Sequence, residues 1–191
     1  MAFWTIGSGD QAQDPKRQYR FVAEFGIGSD CQWMVKNVGK PSVSLSEASH
    51  EYLNHTFYYP GRASWNSVSV TLVDPVSPDA AATMLGILDT AGYRPPVDAN
   101  SLNTVSKKAS IEALGYLRIR QIDASGNDIE VWALQNAWVK SVTLSGLDYS
   151  GDSLSEVTLE IRYDFATLEK HGSSVDGKLS KDQGLWSVQT T

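Results

Sequence analysis

From Val157 to Phe165 the chain alternates without a break. Val157, Leu159, Ile161, Tyr163 and Phe165 are large and apolar, and Thr158, Glu160, Arg162 and Asp164 between them are polar or charged. Only an extended strand has a side-chain period of two; a helix would scatter the same residues around its circumference. The stretch therefore predicts a long antiparallel strand with one face on a core and the other in solvent. Any fold for this chain must supply a second layer over Val157, Leu159 and Ile161.

The rest of the chain offers that layer in pieces of the same kind. Tyr19, Phe21, Ala23 and Phe25 alternate with Arg20, Val22 and Glu24, and Gln32 to Asn37 reads as a return strand across the Gly-rich turn at 26–30, a predicted hairpin. Pro41 opens a stretch in which Val43 and Leu45 alternate with serines, and the polar run from Ser46 to Asn54 reads as a long connection. Ser64 to Val73 sets Val68, Val70 and Leu72 against Ser67, Ser69 and Thr71. Tyr116–Ile122 and Ile129–Leu134 flank a turn at 123–128, and Trp138–Leu144 leads to turn-prone residues from Asp148 to Asp152.

A single helix is predicted where Ser77 can cap, Pro78 can open the first turn and Asp79 can face the positive end of the dipole. Met84, Leu85 and Leu88, with Ala81 and Ala91, form its apolar stripe, and Gly92 ends it. About eight strands and one helix make the fold mainly β, an antiparallel β-sandwich or small barrel with one flanking α-helix. Its expected organisation is an N-terminal arm over 1–18, a β domain over 19–165 and a C-terminal extension over 166–191. Such a sheet has open edges, which must be covered or paired with copies of the chain.

Composition narrows the functions. A chain of 191 residues with one cysteine, Cys31, cannot form an internal disulfide or a multi-cysteine metal site. A net charge of −6 opposes binding to nucleic acid, whose affinity comes largely from Lys and Arg on phosphates. The start of the chain has no secretory pattern, and no run approaches the ~20 apolar residues of a membrane span, so folding in a cytosol is expected. His50, Glu51 and His55 evoke a zinc protease, but the two histidines are five residues apart instead of four, in a strand-prone context. Gly26 and Gly28 lack the remaining elements of a nucleotide loop, and no Gly-x-Ser-x-Gly element occurs. Glu156 and Glu160 share a strand face but have no catalytic partner in the sequence. Neither an enzyme nor a cofactor is expected.

Two stretches resemble the tail tube proteins of contractile-tailed bacteriophages. One runs from Tyr58-Tyr59-Pro60-Gly61-Arg62 through Trp65 to Asp74-Pro75; the other is Leu134-Gln135-Asn136-Ala137-Trp138-Val139, followed by the alternating strand to Tyr163-Asp164-Phe165. The resemblance spans residues 19 to 165 and lies in the order of elements. It implies a structural subunit of a phage tail tube: hexameric rings whose sheets join edge to edge, stacked into a conduit for DNA ejection, in a virion assembled in the host cytoplasm. Implied partners are further copies, the tail sheath, baseplate and terminator proteins, and a tape-measure protein and DNA that pass without specific binding; no membrane is involved.

On this reading Phe3, Trp4, Ser46, Glu47, His50, Glu51, Tyr52, Leu185 and Trp186 are candidates for contact between subunits. Ser67, Ser69, Thr71, Thr158 and Glu160 are candidates for the lumen wall. The alternatives are a baseplate ring that initiates the tube and, from another class, a carbohydrate-binding β-sandwich using Tyr58, Tyr59 and Trp65.

Overall fold

Val157, Leu159 and Ile161 are completely enclosed in the computed structural model, which describes residues 15–26, 34–94 and 104–170. The layer that covers them is a second sheet. In chain order the elements are β1 (Phe21–Phe25), β2 (Val35–Val38), β3 (Val43–Tyr52), β4 (His55–Trp65), β5 (Val68–Val73), α1 (Ala80–Thr90), α2 (Lys107–Leu114), β6 (Leu117–Ile122), β7 (Asp128–Gln135), β8 (Trp138–Leu144), β9 (Glu156–Arg162) and β10 (Phe165–Lys170). The first sheet has the order β1-β6-β7-β10 and the second β2-β5-β9-β8; among the described residues β3 and β4 pair only with each other. All pairings are antiparallel. The two four-stranded sheets sandwich one core, in which Phe25, Leu117, Ile119 and Leu134 of the first meet Val70, Leu72, Leu159 and Ile161 of the second.

The mainly β sandwich read from the sequence is present, and neither sheet closes into a barrel. Several local readings change. β1 and β2 do not form a hairpin: β1 pairs with β6 and β2 with β5, because each strand extends a different layer. The alternation from Val157 to Phe165 is shared between sheets, since the chain crosses from β9 to β10 at Tyr163 and Asp164. Asp164 anchors this crossing. Its carboxylate accepts from Lys107 Nζ at 2.7 Å and from Asn136 Nδ2 at 2.8 Å, and its N–H donates to the Gln135 carbonyl. The hydrogen bond from Lys107, then that from Asn136, holds this carboxyl below its ordinary range. β10 carries 166–170, assigned to the extension by the sequence, into the first sheet, where Ala166 and Leu168 are buried.

Among the described residues two helices flank the sandwich where one was predicted. α1 is capped by Asp79, not Ser77: the Asp79 carboxylate accepts from Ala82 N and Asp74 accepts from Ala80 N, so two carboxylates occupy the positive end of the helix. Its buried line is Ala80, Met84, Ile87 and Ala91, which turns Leu85 to solvent. α2 escaped the sequence reading because its buried face is Ser110, Ala113 and Leu114, too small and polar for a clear stripe. Its punctuation was legible: Ser106 caps Ala109 N, and Gly115 stops it at φ +75°.

Candidate assembly surfaces

β5 and β9 lie side by side with Ser69 opposite Glu160 and Thr71 opposite Thr158. Val68, Val70 and Leu72 face the core with Val157, Leu159 and Ile161, so the intervening residues share the outer face. Ser67, Ser69, Thr71, Thr158 and Glu160, the lumen candidates, are thereby brought together, with Ser141 and Thr143 added from β8. Glu160 accepts from Ser67 Oγ at 2.6 Å and Lys140 Nζ at 2.8 Å. The Lys140 hydrogen bond, then that of Ser67, holds its carboxyl below the usual range. Lys140 reaches this face through a bulge between Val139 and Ser141, which the sequence did not reveal. Lys36 pairs with Glu156 beside it. The face is rich in hydroxyls, and each of its two carboxylates is matched by an ammonium. On the outer face of the first sheet the charges are denser: Arg120 bridges Glu24 and Asp128, and Arg118 pairs with Glu169.

The second surface is the ribbon of β3 and β4. The sequence reading of 46–54 as a polar loop is corrected, because residues 43–52 form a strand of ten residues paired along its length with an eleven-residue partner. Alternation with Ser and Glu hid the strand, since neither face of β3 enters the core. All of β3 and nearly all of β4 are exposed. Near its base the ribbon is apolar on the side of Val43, Leu45, Ala63 and Trp65, and Trp65 packs against the core beside Tyr163. At a bulge, β4 inserts an extra residue opposite Ser46. Beyond it the apolar side changes. Ala48 pairs with Tyr59, His50 with Phe57 and Tyr52 with His55 on one face; Glu47 pairs with Pro60, Ser49 with Tyr58 and Glu51 with Thr56 on the other. His55 and Phe57 meet edge to face at 4.6 Å.

Of the candidate contact residues, Ser46, His50 and Tyr52 thus fall on the aromatic side of the ribbon and Glu47 and Glu51 on the acidic side. Phe3, Trp4, Leu185 and Trp186 lie outside the described residues. Phe57 and Tyr59 complete the aromatic side, a placement that follows from their cross-strand partners His50 and Ala48.

A buried carboxylate secures the approach to this ribbon. Glu130 on β7 accepts from Lys16, from Lys40 at 2.9 Å and from the Trp132 indole, while Lys40 also donates to Gln121 at 2.7 Å. Burial alone would raise its pKa, but the hydrogen bonds from Lys16, Trp132 and Lys40 outweigh it and bring the carboxyl down to about 2. Because Lys16 precedes β1 and Lys40 lies between β2 and β3, this group ties two connecting segments to the first sheet.

No protein-family model and no curated protein matches the chain. Solved structures do. A chain of the anti-feeding prophage tube-terminating cap is 17% identical and superposes with a TM-score of 0.61 over 88% of this chain and 98% of its own. A chain from the sheath/tube terminator of an extracellular contractile injection system, PVC, gives 0.57 at 16% identity, over 82% and 97%. Another, from the PVC sheath–tube complex, gives 0.56 at 15% identity, over 80% and 89%. This is the tail-tube fold.

At these identities the shared property is the tail-tube fold itself, the one the sequence resemblance implied. Among the described residues no helix is long and apolar enough to cross a membrane, and no group of three His, Cys, Asp or Glu is placed to hold a metal ion.

Proposed function

We propose that this chain is the structural subunit of a tail or injection tube, non-enzymatic, forming hexameric rings that stack into a conduit. The observation that carries this reading is the ribbon of β3 and β4, one side of which is aromatic and covered by no described part of its own subunit. A two-stranded hairpin is at best marginally stable in water, so an exposed one of this length is best explained by a partner. Four edges left open among the described residues, β1 and β10 in one sheet and β2 and β8 in the other, favour further copies as that partner. The tail-tube fold supports the same conclusion. In a phage the conduit would carry DNA within a virion, flanked by sheath, baseplate and terminator proteins. The hydroxyl-rich face of the second sheet, on which Glu160 and Glu156 are matched by Lys140 and Lys36, suits a wall that a polyanion must pass without being held.

A specific observation favours a second reading, a single ring that starts or ends the tube: the tube-terminating cap aligns over 88% of this chain, the sheath–tube complex chain over 80%. Negative-stain microscopy and native mass spectrometry of the purified chain test both readings. Stacked fibres of constant diameter are expected for a tube subunit, isolated rings for a cap, and monomers at every concentration would refute both.

A further inference from the structure

The inward face of the first sheet is built in rows that cross β1, β6 and β7. Phe25, Leu117 and Leu134 form one row, and Ala23, Ile119 and Trp132 the next. The third row breaks the pattern: Phe21 stands beside Gln121, and Gln121 beside Glu130. Both polar residues are only 8% exposed, at positions where the sandwich elsewhere places apolar side chains. Burying an amide and a carboxylate costs free energy unless their hydrogen bonds are made, and both make one with Lys40. The row ends at the flank where β1 and β2 are edge strands of different sheets. The gap there is a cavity of about 480 Å³, with Phe21, Val38 and Ile119 as its apolar wall and Asn37, Lys40 and Gln121 as its polar one.

Donors outnumber acceptors in this cavity. An ammonium has three N–H bonds, and Lys40 uses two, to Gln121 Oε1 at 2.7 Å and to Glu130 Oε1 at 2.9 Å. Gln121 has its oxygen on Lys40 and one N–H on the Arg17 carbonyl at 3.2 Å, which leaves its second N–H. Charge is in excess in the same sense. Glu130 titrates at about 2 and is ionised at neutral pH, yet two ammonium groups face it, those of Lys16 and Lys40. One positive charge is left over, and no carboxylate is among the described residues that line the cavity.

We propose that this cavity binds one carboxylate carried on a small apolar body, with Lys40 and Gln121 donating to the carboxylate and Phe21, Val38 and Ile119 packing on the body. The inference does not depend on the tube reading. A single carboxylate neutralises the left-over charge, whereas a cation is repelled. A phosphate or sulfate, hydrated on every side, would have to shed water against the apolar wall without gaining a partner there. Lys40 is held by Gln121 and Glu130 before any ligand arrives, so little side-chain freedom is lost on binding. The buried polar row thereby acquires a use beyond tying segments together: it fixes an ammonium at the mouth of an apolar cavity. A free small acid and an acidic side chain of an adjacent copy both meet this chemistry, because the flank lies between two strand edges.

Methyl NMR of the purified chain tests this, with the Val38 and Ile119 methyl groups as reporters and phenylacetate as the probe. Saturable shifts at both residues are expected, with binding at least tenfold weaker for phenylacetamide, which has the same shape without the charge. Asn37→Glu, an exposed substitution at the rim, should leave melting unchanged and abolish the response by offering Lys40 a carboxylate from its own chain. Absence of shifts at millimolar phenylacetate, an equal response to phenylacetamide, or undiminished binding by the Asn37 variant would overturn the site. Sedimentation of the assembled chain with radiolabelled phenylacetate then separates the two sources. Retention means that a free acid reaches the site in the assembly; exclusion, beside binding by the dispersed chain, means that a side chain of a neighbouring copy fills it.

Discussion

Gly61 stands against Ser46 across the ribbon so closely that a Cβ at Gly61 would lie 2.3 Å from the Ser46 hydroxyl and 2.9 Å from its carbonyl oxygen. The same hydroxyl accepts from Arg62 N at 2.8 Å, closing the bulge where the apolar side changes. Nothing larger than glycine fits without moving backbone. Gly61→Val should therefore shift the register of the outer part of the ribbon, and a one-residue slip would exchange its aromatic and acidic sides on that strand. Because the ribbon contributes little to the core, thermal melting of the subunit should change by no more than a few degrees while assembly into fibres is lost. Fibres of normal yield from this variant would show that the bulge does not set the contact.

Glu130 makes a second prediction, about stability. Its carboxyl titrates at about 2 in the folded chain, below the ordinary 4.5, so the unfolded chain takes up its proton first as pH falls. The stabilisation is complete above about pH 4.5 and is lost as pH drops toward 2. Glu130→Gln, which cannot hold Lys16 and Lys40 by charge, should cost about 2 kcal/mol at neutral pH, and the difference from the parent should shrink through that window. Denaturant titrations of both proteins between pH 7 and pH 2 measure it. Other depressed carboxyls, such as Asp164, titrate in both proteins and cancel in the difference; a gap independent of pH would remove Glu130 from the acid response.

The sequence disclosed elements whose two faces differ and concealed those whose faces do not meet the core. β5, β8 and β9 were legible because burial on one side and solvent on the other print a period of two. β3 lay hidden in a polar run because its stability comes from β4 across the ribbon, a relation that only register reveals. α2 was missed since Ser110 and Ala113 pack without looking apolar, although Ser106 and Gly115 marked its ends. The lumen candidates could be grouped because β5 and β9 each expose a polar side; that the strands are adjacent, and that Lys140 joins Glu160, depends on pairings between residues far apart in the chain.

Ile161 tests the core. It lies in β9 between Val68 on β5 and Val139 on β8, with no exposed surface. Ile161→Asp would bury a charge with no cation beside it, at a cost comparable to the roughly 5–15 kcal/mol that stabilises an ordinary domain. The variant should be recovered unfolded or insoluble. Glu160→Ala, one residue away and on the outer face, should keep its parent's circular dichroism and nearly its melting temperature. A folded Ile161→Asp protein with unchanged melting would contradict the assigned faces of β9.

The last prediction concerns the wall of the conduit. If the outer face of the second sheet lines the lumen, passing DNA meets Ser67, Ser69, Thr71, Thr158, Ser141 and Thr143, with Glu160 compensated by Lys140 and with Arg162 at the end of β9. Hydroxyls exchange hydrogen bonds with water and phosphate on nearly equal terms, and a cation engaged by a carboxylate gains little by leaving it for a phosphate. Assembled tubes of the unmodified chain should therefore not retain duplex DNA at physiological salt. Glu160→Lys removes the partner of Lys140 and adds a second ammonium beside it, in six copies per ring, so the face gains cations that phosphates can pair with. Retention should appear and should weaken steeply as salt is raised, because each phosphate contact releases condensed counterions. Glu112→Lys makes the same change of charge on α2, away from this face, and separates a lumen effect from a general rise in charge. Retention by the Glu160 variant but not the Glu112 variant, read from DNA co-sedimentation with tubes across a salt series, is the expected result. Equal behaviour of the two would move Glu160 off the wall, and tight salt-sensitive binding by the parent would mean that this face does not line the path of the DNA.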